Sequence, residues 1–188
     1  MLLFHLQGIS EGSILSAFFA RLRFRSIGDH ENMVSGREGL SYNRPVKRNT
    51  VFFEKLVAHV NRKEWWHVPP RDPSAYSKRG KFLASSFREA EFWGRPLDEP
   101  QRVTVAHPLV GDEEAIERKL FGRRVSSETI SVKERWALDA KMKVAAQAEG
   151  YDSIALITPK AFSAFKKSGK LPRSIELNIL VGSRPSTH

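Results

Sequence analysis

The 188-residue chain contains no cysteine. Disulfides, thiolate nucleophiles and cysteine-bearing zinc sites are therefore excluded. The absence suits a cytoplasmic protein. No apolar run approaches the roughly 20 residues that cross a bilayer. The opening residues, MLLFHLQGISEGSILSAFFARLRFR, put their basic side chains after the apolar part. That is the reverse of a secretory signal, and leaves an arginine-rich amphipathic anchor or presequence as the alternative. GxGxxG, Walker-type, HExxH and GxSxG patterns are all missing, so the common phosphate cradles and two frequent hydrolase signatures are absent. The chain also lacks internal repeats and low-complexity segments.

What is present is positive charge. The formal net charge is +10 and the isoelectric point about 10.1. Such a surface favours phosphate-rich partners, whether nucleic acid, nucleotides or an anionic membrane, though it also serves plain solubility. Hydrophobic residues make up 40% of the chain, enough for a real core.

Organisation is uneven. Residues 1–48 scatter Gly, Ser, Asn and Arg without a sustained period and read as a weakly ordered extension, with one short helix near Ile14–Leu22. Residues 49–188 read as one folded domain. Thr50–Val60 is helical after an Asn-Thr cap, and Glu64–Val68 (EWWHV) is a short strand stopped by Pro69 and Pro70. Tyr76–Gly80 is loop and Lys81–Ala84 a strand. Ser86 with Glu89 forms a capping box for a helix closed by Gly94 and Pro96. Arg102–Ala106 alternates as a strand and HPLVGD turns the chain. Asp112 then caps a helix ended by Gly122. Ser131 and Glu134 open another helix, whose stripe is Val132, Trp136, Ala140 and Val144. Ser153–Ile157 is an apolar strand, and Thr158-Pro159 starts a helix that Gly169 stops. Ser174–Val181 alternates as the last strand. Short strands and irregularly interleaved helices predict an α+β fold, a short-stranded split sheet with packed helices.

Three places could carry chemistry. Trp65-Trp66-His67 is either core or a site wall. Phe82, Leu83, Phe87, Phe92 and Trp93 are mostly packing between a strand and a helix. Glu176 shares a strand face with Asn178, opposite Ile175, Leu177 and Ile179. That face is either a solvated edge or a cleft in which a carboxylate stabilises positive charge.

In this order the segments resemble the ADP-ribosyltransferase fold, in the His-Tyr-Glu branch that includes poly(ADP-ribose) polymerases and RNA 2′-phosphotransferases. EWWHV resembles the histidine strand. GKFLASSFREAEFWG resembles the following strand and helix, through Gly80, Phe82, Ala84, Ser85, Ala90 and Phe92. GYDSIALI and SIELNIL resemble the late strands, the second supplying Glu176. The resemblance spans residues 64–181.

It implies an NAD-consuming transferase that needs no metal. His67 would bond a ribose hydroxyl, and Phe82 and Phe92 would sandwich the nicotinamide ring. Ser85 belongs to the same pocket, and Arg71 and Arg79 are candidate phosphate clamps. Glu176 would bond the nicotinamide-ribose hydroxyl and stabilise the oxocarbenium-like centre. The acceptor would be a macromolecule, with charge favouring DNA or RNA, or the role would be toxin-like. The glycine that usually follows the histidine is replaced by Val68-Pro69-Pro70, so an inactive interaction module of the same fold stays open. So does a non-enzymatic nucleic-acid-binding domain. Its phosphate contacts would come from pairs such as Lys47-Arg48, Arg62-Lys63, Lys78-Arg79 and Lys166-Lys167, with Lys81, Arg123, Arg124 and Arg173.

Overall fold

The computed structural model describes residues 46–126 and 130–180. The expected extension and its short helix lie outside the described residues, except for 46–48, which already belong to the first helix. That helix, α1, runs Val46–Arg62. It is followed by α2 (Ser74–Arg79), β1 (Lys81–Ala84), α3 (Phe87–Glu91), β2 (Pro108–Gly111), α4 (Glu113–Phe121), α5 (Val132–Ala148), β3 (Ser153–Leu156), α6 (Pro159–Ser168) and β4 (Glu176–Ile179). The class is α+β, as expected, with one four-stranded mixed sheet in the order β1-β4-β3-β2. β4 runs antiparallel to both neighbours, and β2 lies parallel to β3.

Several elements follow from local chemistry. The Asp112 carboxylate accepts from the Ala115 N–H at 2.8 Å and starts α4, which Gly122 ends in the left-handed conformation. Ser131 and Glu134 cap α5 reciprocally. The Thr158 hydroxyl caps α6, with Pro159 in its first turn and Gly169 after its last. Ser86 accepts from the Glu89 N–H at 3.3 Å to open α3.

Four expectations are corrected. Glu64–Val68 forms two isolated bridges rather than a strand, Trp65 to Gln101 and Trp66 to Ala84. Pro69 and Pro70 have no N–H with which to continue a ladder. Ser74–Arg79 is helical rather than loop, because the Asp72 carboxylate takes the Ser74 N–H at 2.9 Å and its hydroxyl at 2.5 Å. Arg102–Ala106 is not a strand, since its backbone is satisfied by side chains. Asn61 bonds both the N–H and the carbonyl of Val105, while Asp152 takes the N–H groups of Ala106 and His107. The strand instead forms at Pro108–Gly111, in the segment read as a turn. Finally, α5 does not bury its apolar stripe: Val144 is 66% exposed. Its inward face carries Arg135, Leu138, Asp139, Met142, Lys143 and Ala146.

The sheet has a helical layer on each side. Leu83, Ala155, Ile157, Ile175 and Leu177 face α1 and α6 and pack with Leu56, Val60, Trp65 and Phe165. Phe82, Ile154, Leu156 and Leu180 face α4 and α5 and pack with Ile116, Leu138, Met142 and Ala146. The expected alternation of the last strand therefore holds. Because β4 is central, neither of its faces is solvated.

Gly80 joins α2 to β1 at φ 90°. A β-carbon there would lie against the Asn178 side chain and 2.8 Å from the Ile179 carbonyl oxygen. Both the conformation and the contact oppose a side chain. Gly80→Ala is expected to destabilise the domain by about 2 kcal/mol or more, seen as a lower urea midpoint at unchanged m-value.

Candidate functional site

Glu176 opens the central strand, with Ala84 of β1 on one side and Leu156 of β3 on the other. It is 4% exposed, and neither carboxyl oxygen has a hydrogen-bond partner. Burial pushes this carboxyl well above the ordinary carboxylate range. The nearby Arg135 guanidinium opposes that rise, while the Asp139, Glu113 and Glu89 carboxylates add to it.

His67 is brought beside β1 by the Trp66–Ala84 bridge. One ring nitrogen, Nδ1, lies 2.8 Å from the Phe82 carbonyl oxygen, and the other, Nε2, 2.7 Å from the Tyr76 hydroxyl. A carbonyl only accepts, so Nδ1–H donates and Nε2 accepts from Tyr76. Burial lowers the His67 pKa and raises that of Tyr76, so both groups stay in the neutral forms this chain of bonds requires. His67 thus clamps α2 to β1, with both nitrogens already engaged.

Between β1, α3 and β4 lies a cavity walled by Trp66, Val68, Phe82, Ala90 and Trp93, with Glu176 at its base. Two of its wall residues pack on further aromatic rings: Trp66 meets Phe87 edge to face at 4.9 Å, and Trp93 meets Phe92 at 4.8 Å. Its internal volume is about 20 Å³, room for a water and not for a nicotinamide ring.

Of the expected site residues, Glu176 and Phe82 line this cavity, whereas His67 does not and reaches it only through its bond to the Phe82 carbonyl. Ser85 supports it from behind, donating to Glu89 at 2.8 Å and accepting from the Ile175 N–H at 3.1 Å. Phe92 is 48% exposed and not among the lining residues; its neighbour Trp93 takes the wall. Arg71 is exposed in the turn before α2. The Arg79 guanidinium stacks 4.6 Å from the Trp136 ring, and the Lys81 ammonium bonds the Gln101 side chain at 2.6 Å. Arg123 and Arg124 are exposed after α4. These basic residues do not line the cavity.

Sequence reasoning missed the charged group behind Glu176. Arg135 is 1% exposed and bonds Glu113 through Nη1 and Asp139 through Nε, the latter at 3.0 Å. Its remaining Nη2 has no partner. Arg135 and Asp139 stand four apart on one helix, a spacing visible in the sequence but far commoner on exposed faces. Among the described residues no cluster of His, Asp and Glu suits a metal ion, and no helix is long and apolar enough to cross a membrane.

Comparison with protein-family models, with curated proteins and with solved structures found no match.

Because its folded pKa is raised, Glu176 contributes fully to stability below its unfolded value near 4.5, and that contribution is lost as pH rises through the folded value. Glu176→Gln removes the ionisation while keeping the shape. The variant is expected to melt on the order of 5 °C above the parent at pH 8. The difference should shrink to nothing near pH 4.5. Scanning calorimetry across that range measures it, and a difference that does not change with pH would contradict the raised pKa.

Proposed function

We propose that the domain is an NAD-dependent ADP-ribosyltransferase of the His-Tyr-Glu type, acting at the Trp66–Phe82–Trp93–Glu176 cavity. The observation that carries this reading is Glu176 itself. A carboxyl group buried on a central strand, without a hydrogen-bond partner, is a standing penalty unless a ligand meets it. Aromatic walls around a carboxyl suit a cationic ring attached to a sugar hydroxyl.

In this reading the Glu176 carboxylate accepts from the nicotinamide-ribose hydroxyl and faces the positive charge that grows on the anomeric carbon. The glycosidic bond breaks, its electron pair leaves with neutral nicotinamide, and the acceptor oxygen or nitrogen forms the new bond and gives up its proton. Phe82 and Trp93, rather than Phe92, hold the ring. His67 fixes the β1 backbone behind it and keeps α2 in place. To admit the ring, the half-buried Trp93, two residues past the end of α3, shifts outward and closes again on it.

The purified protein is expected to release nicotinamide from NAD. Glu176→Gln should reduce the rate at least 100-fold, as loss of one electrostatic group does at comparable centres. Trp93→Ala should raise KM about tenfold or more, whereas Phe92→Ala should change it less than threefold, against a ring contact worth about 1.4 kcal/mol. Absence of both turnover and NAD binding would reject the reading.

A second reading has its own support. The Lys63 ammonium donates to the Arg173 carbonyl at 3.3 Å. That bond draws the end of α1, with Arg62, to the loop carrying Lys170 and Arg173. The resulting basic surface suits a nucleic-acid backbone, as acceptor or as sole partner. Nucleic-acid binding that weakens steeply with salt, without NAD turnover, would favour the sole-partner form.

A further inference from the structure

Glu176 faces a second cavity, on the α5 side. This one is about 10 Å³ and is lined by Phe82, Asp139, Met142, Ile154, Leu156, Glu176 and Asn178. It is close to the size that holds one water. The Asn178 Oδ1 atom is buried without a partner, as are both Glu176 oxygens. Asp139, Glu176 and Asn178 are the polar side chains of the cavity wall. Asp139, which lines this cavity with Glu176, accepts from the Arg135 Nε–H, and a second donor of the same guanidinium serves Glu113.

We infer that Arg135 and Asp139 are positioning residues for Glu176. Asp139 holds the guanidinium along α5, and the two carboxyls line one cavity. The argument rests on placing the functional carboxyl at Glu176, but not on NAD being the ligand.

The charges gathered around Glu176 can be counted. Arg135 contributes one positive charge, and Asp139 and Glu113 each contribute one negative charge. Glu89 of α3 adds a further negative charge from the other side. The strands β1 and β3 present only Phe82, Ala84, Ile154 and Leu156. An ionised Glu176 is therefore a fourth carboxylate in a site already negative, unless a cation enters with it. A cationic aromatic ring in the first cavity is such a cation. The arrangement makes Glu176 neutral at rest and charged when the ring is seated. An anionic or neutral ligand gains nothing from it.

The inference predicts coupling between positions 139 and 176. Thermal stability is to be measured from pH 5 to pH 9 for the parent, Glu176→Gln, Asp139→Asn and the double variant. Asparagine keeps an oxygen for the Arg135 Nε–H while removing the charge. In the parent background, Glu176→Gln raises the melting temperature increasingly with pH. In the Asp139→Asn background that gain at pH 8 should fall by at least half, because the Arg135 charge is then less offset and supports an ionised Glu176. An equal, pH-dependent gain in both backgrounds would overturn the inference. Should Asp139→Asn fail to fold, Glu113→Gln, at the edge of the group, carries the same expectation. Nicotinamide release is read in parallel, and its rising limb should move to lower pH in Asp139→Asn. A halved stability gain without any release would reject the transferase and leave the coupling standing. Release with an unchanged gain would reject the coupling alone.

Discussion

The arrangement of buried charge in this structure is set by one carboxyl group in the middle of a sheet. Strand β4 lies between β1 and β3, so its side chains meet helices on both faces and none reaches solvent easily. Seven of its neighbours across those faces are ordinary core residues: Phe82, Leu83, Leu138, Met142, Ile154, Ala155 and Leu156. Leu177 fits that environment and Glu176 does not. A leucine at the Glu176 position would extend the apolar face and remove the cost of a buried carboxyl without a hydrogen-bond partner. Nothing in the fold needs the acid there. The fold instead accommodates it, through a guanidinium in α5 and carboxylates in α4 and α5 that hold the guanidinium in place.

That accommodation explains why α5 defeated its own periodicity. Val132, Trp136, Ala140 and Val144 make a clean stripe at spacing four, and on hydrophobicity alone that stripe should face the core. The helix is turned so that Arg135, Asp139 and Lys143 go inward beside Leu138, Met142 and Ala146. Pairing pays for this: Arg135 meets Glu113 and Asp139, and Lys143 donates to the Ser77 carbonyl. These partners come from other segments, 22 residues away for Glu113 and 66 for Ser77. A window of sequence one helix long cannot contain them. The same limit hid the true β2. Arg102–Ala106 has strand periodicity, but Asn61 and Asp152 capture its backbone from 44 to 46 residues away.

Local signals, by contrast, were legible. The caps at Asp112, Ser131 and Thr158 and the stops at Gly122 and Gly169 act within four residues, and each forms where the sequence places it; Ser86 also caps its helix, but Glu89 accepts from the Ser85 hydroxyl instead of closing the box, and the helix ends at Glu91, before Gly94. The face shared by Glu176 and Asn178 was also readable, since strand alternation is local. What could not be read was burial, because whether a strand is central or at an edge depends on pairing order. The same reasoning separates Phe92 from Trp93. Both stand at the end of a short helix, and a shift of one residue decides which enters the cavity and which is half exposed.

The distribution of charge runs opposite inside and out. The surface is strongly basic, whereas the group around Glu176 is negative in sum once Arg135 is counted against Glu113, Asp139 and Glu89. Plain solubility accounts for the first and not for the second. Under the proposed reading, both match one substrate. A dinucleotide carries an anionic diphosphate and a cationic nicotinamide ring, so a basic exterior draws in the first while an acidic interior accepts the second. Neutral ring analogues lack the second attraction, and inorganic polyanions lack the way in. Selection would then lie less in the shape of a cavity that is closed at rest than in the order of charges met along the path to Glu176.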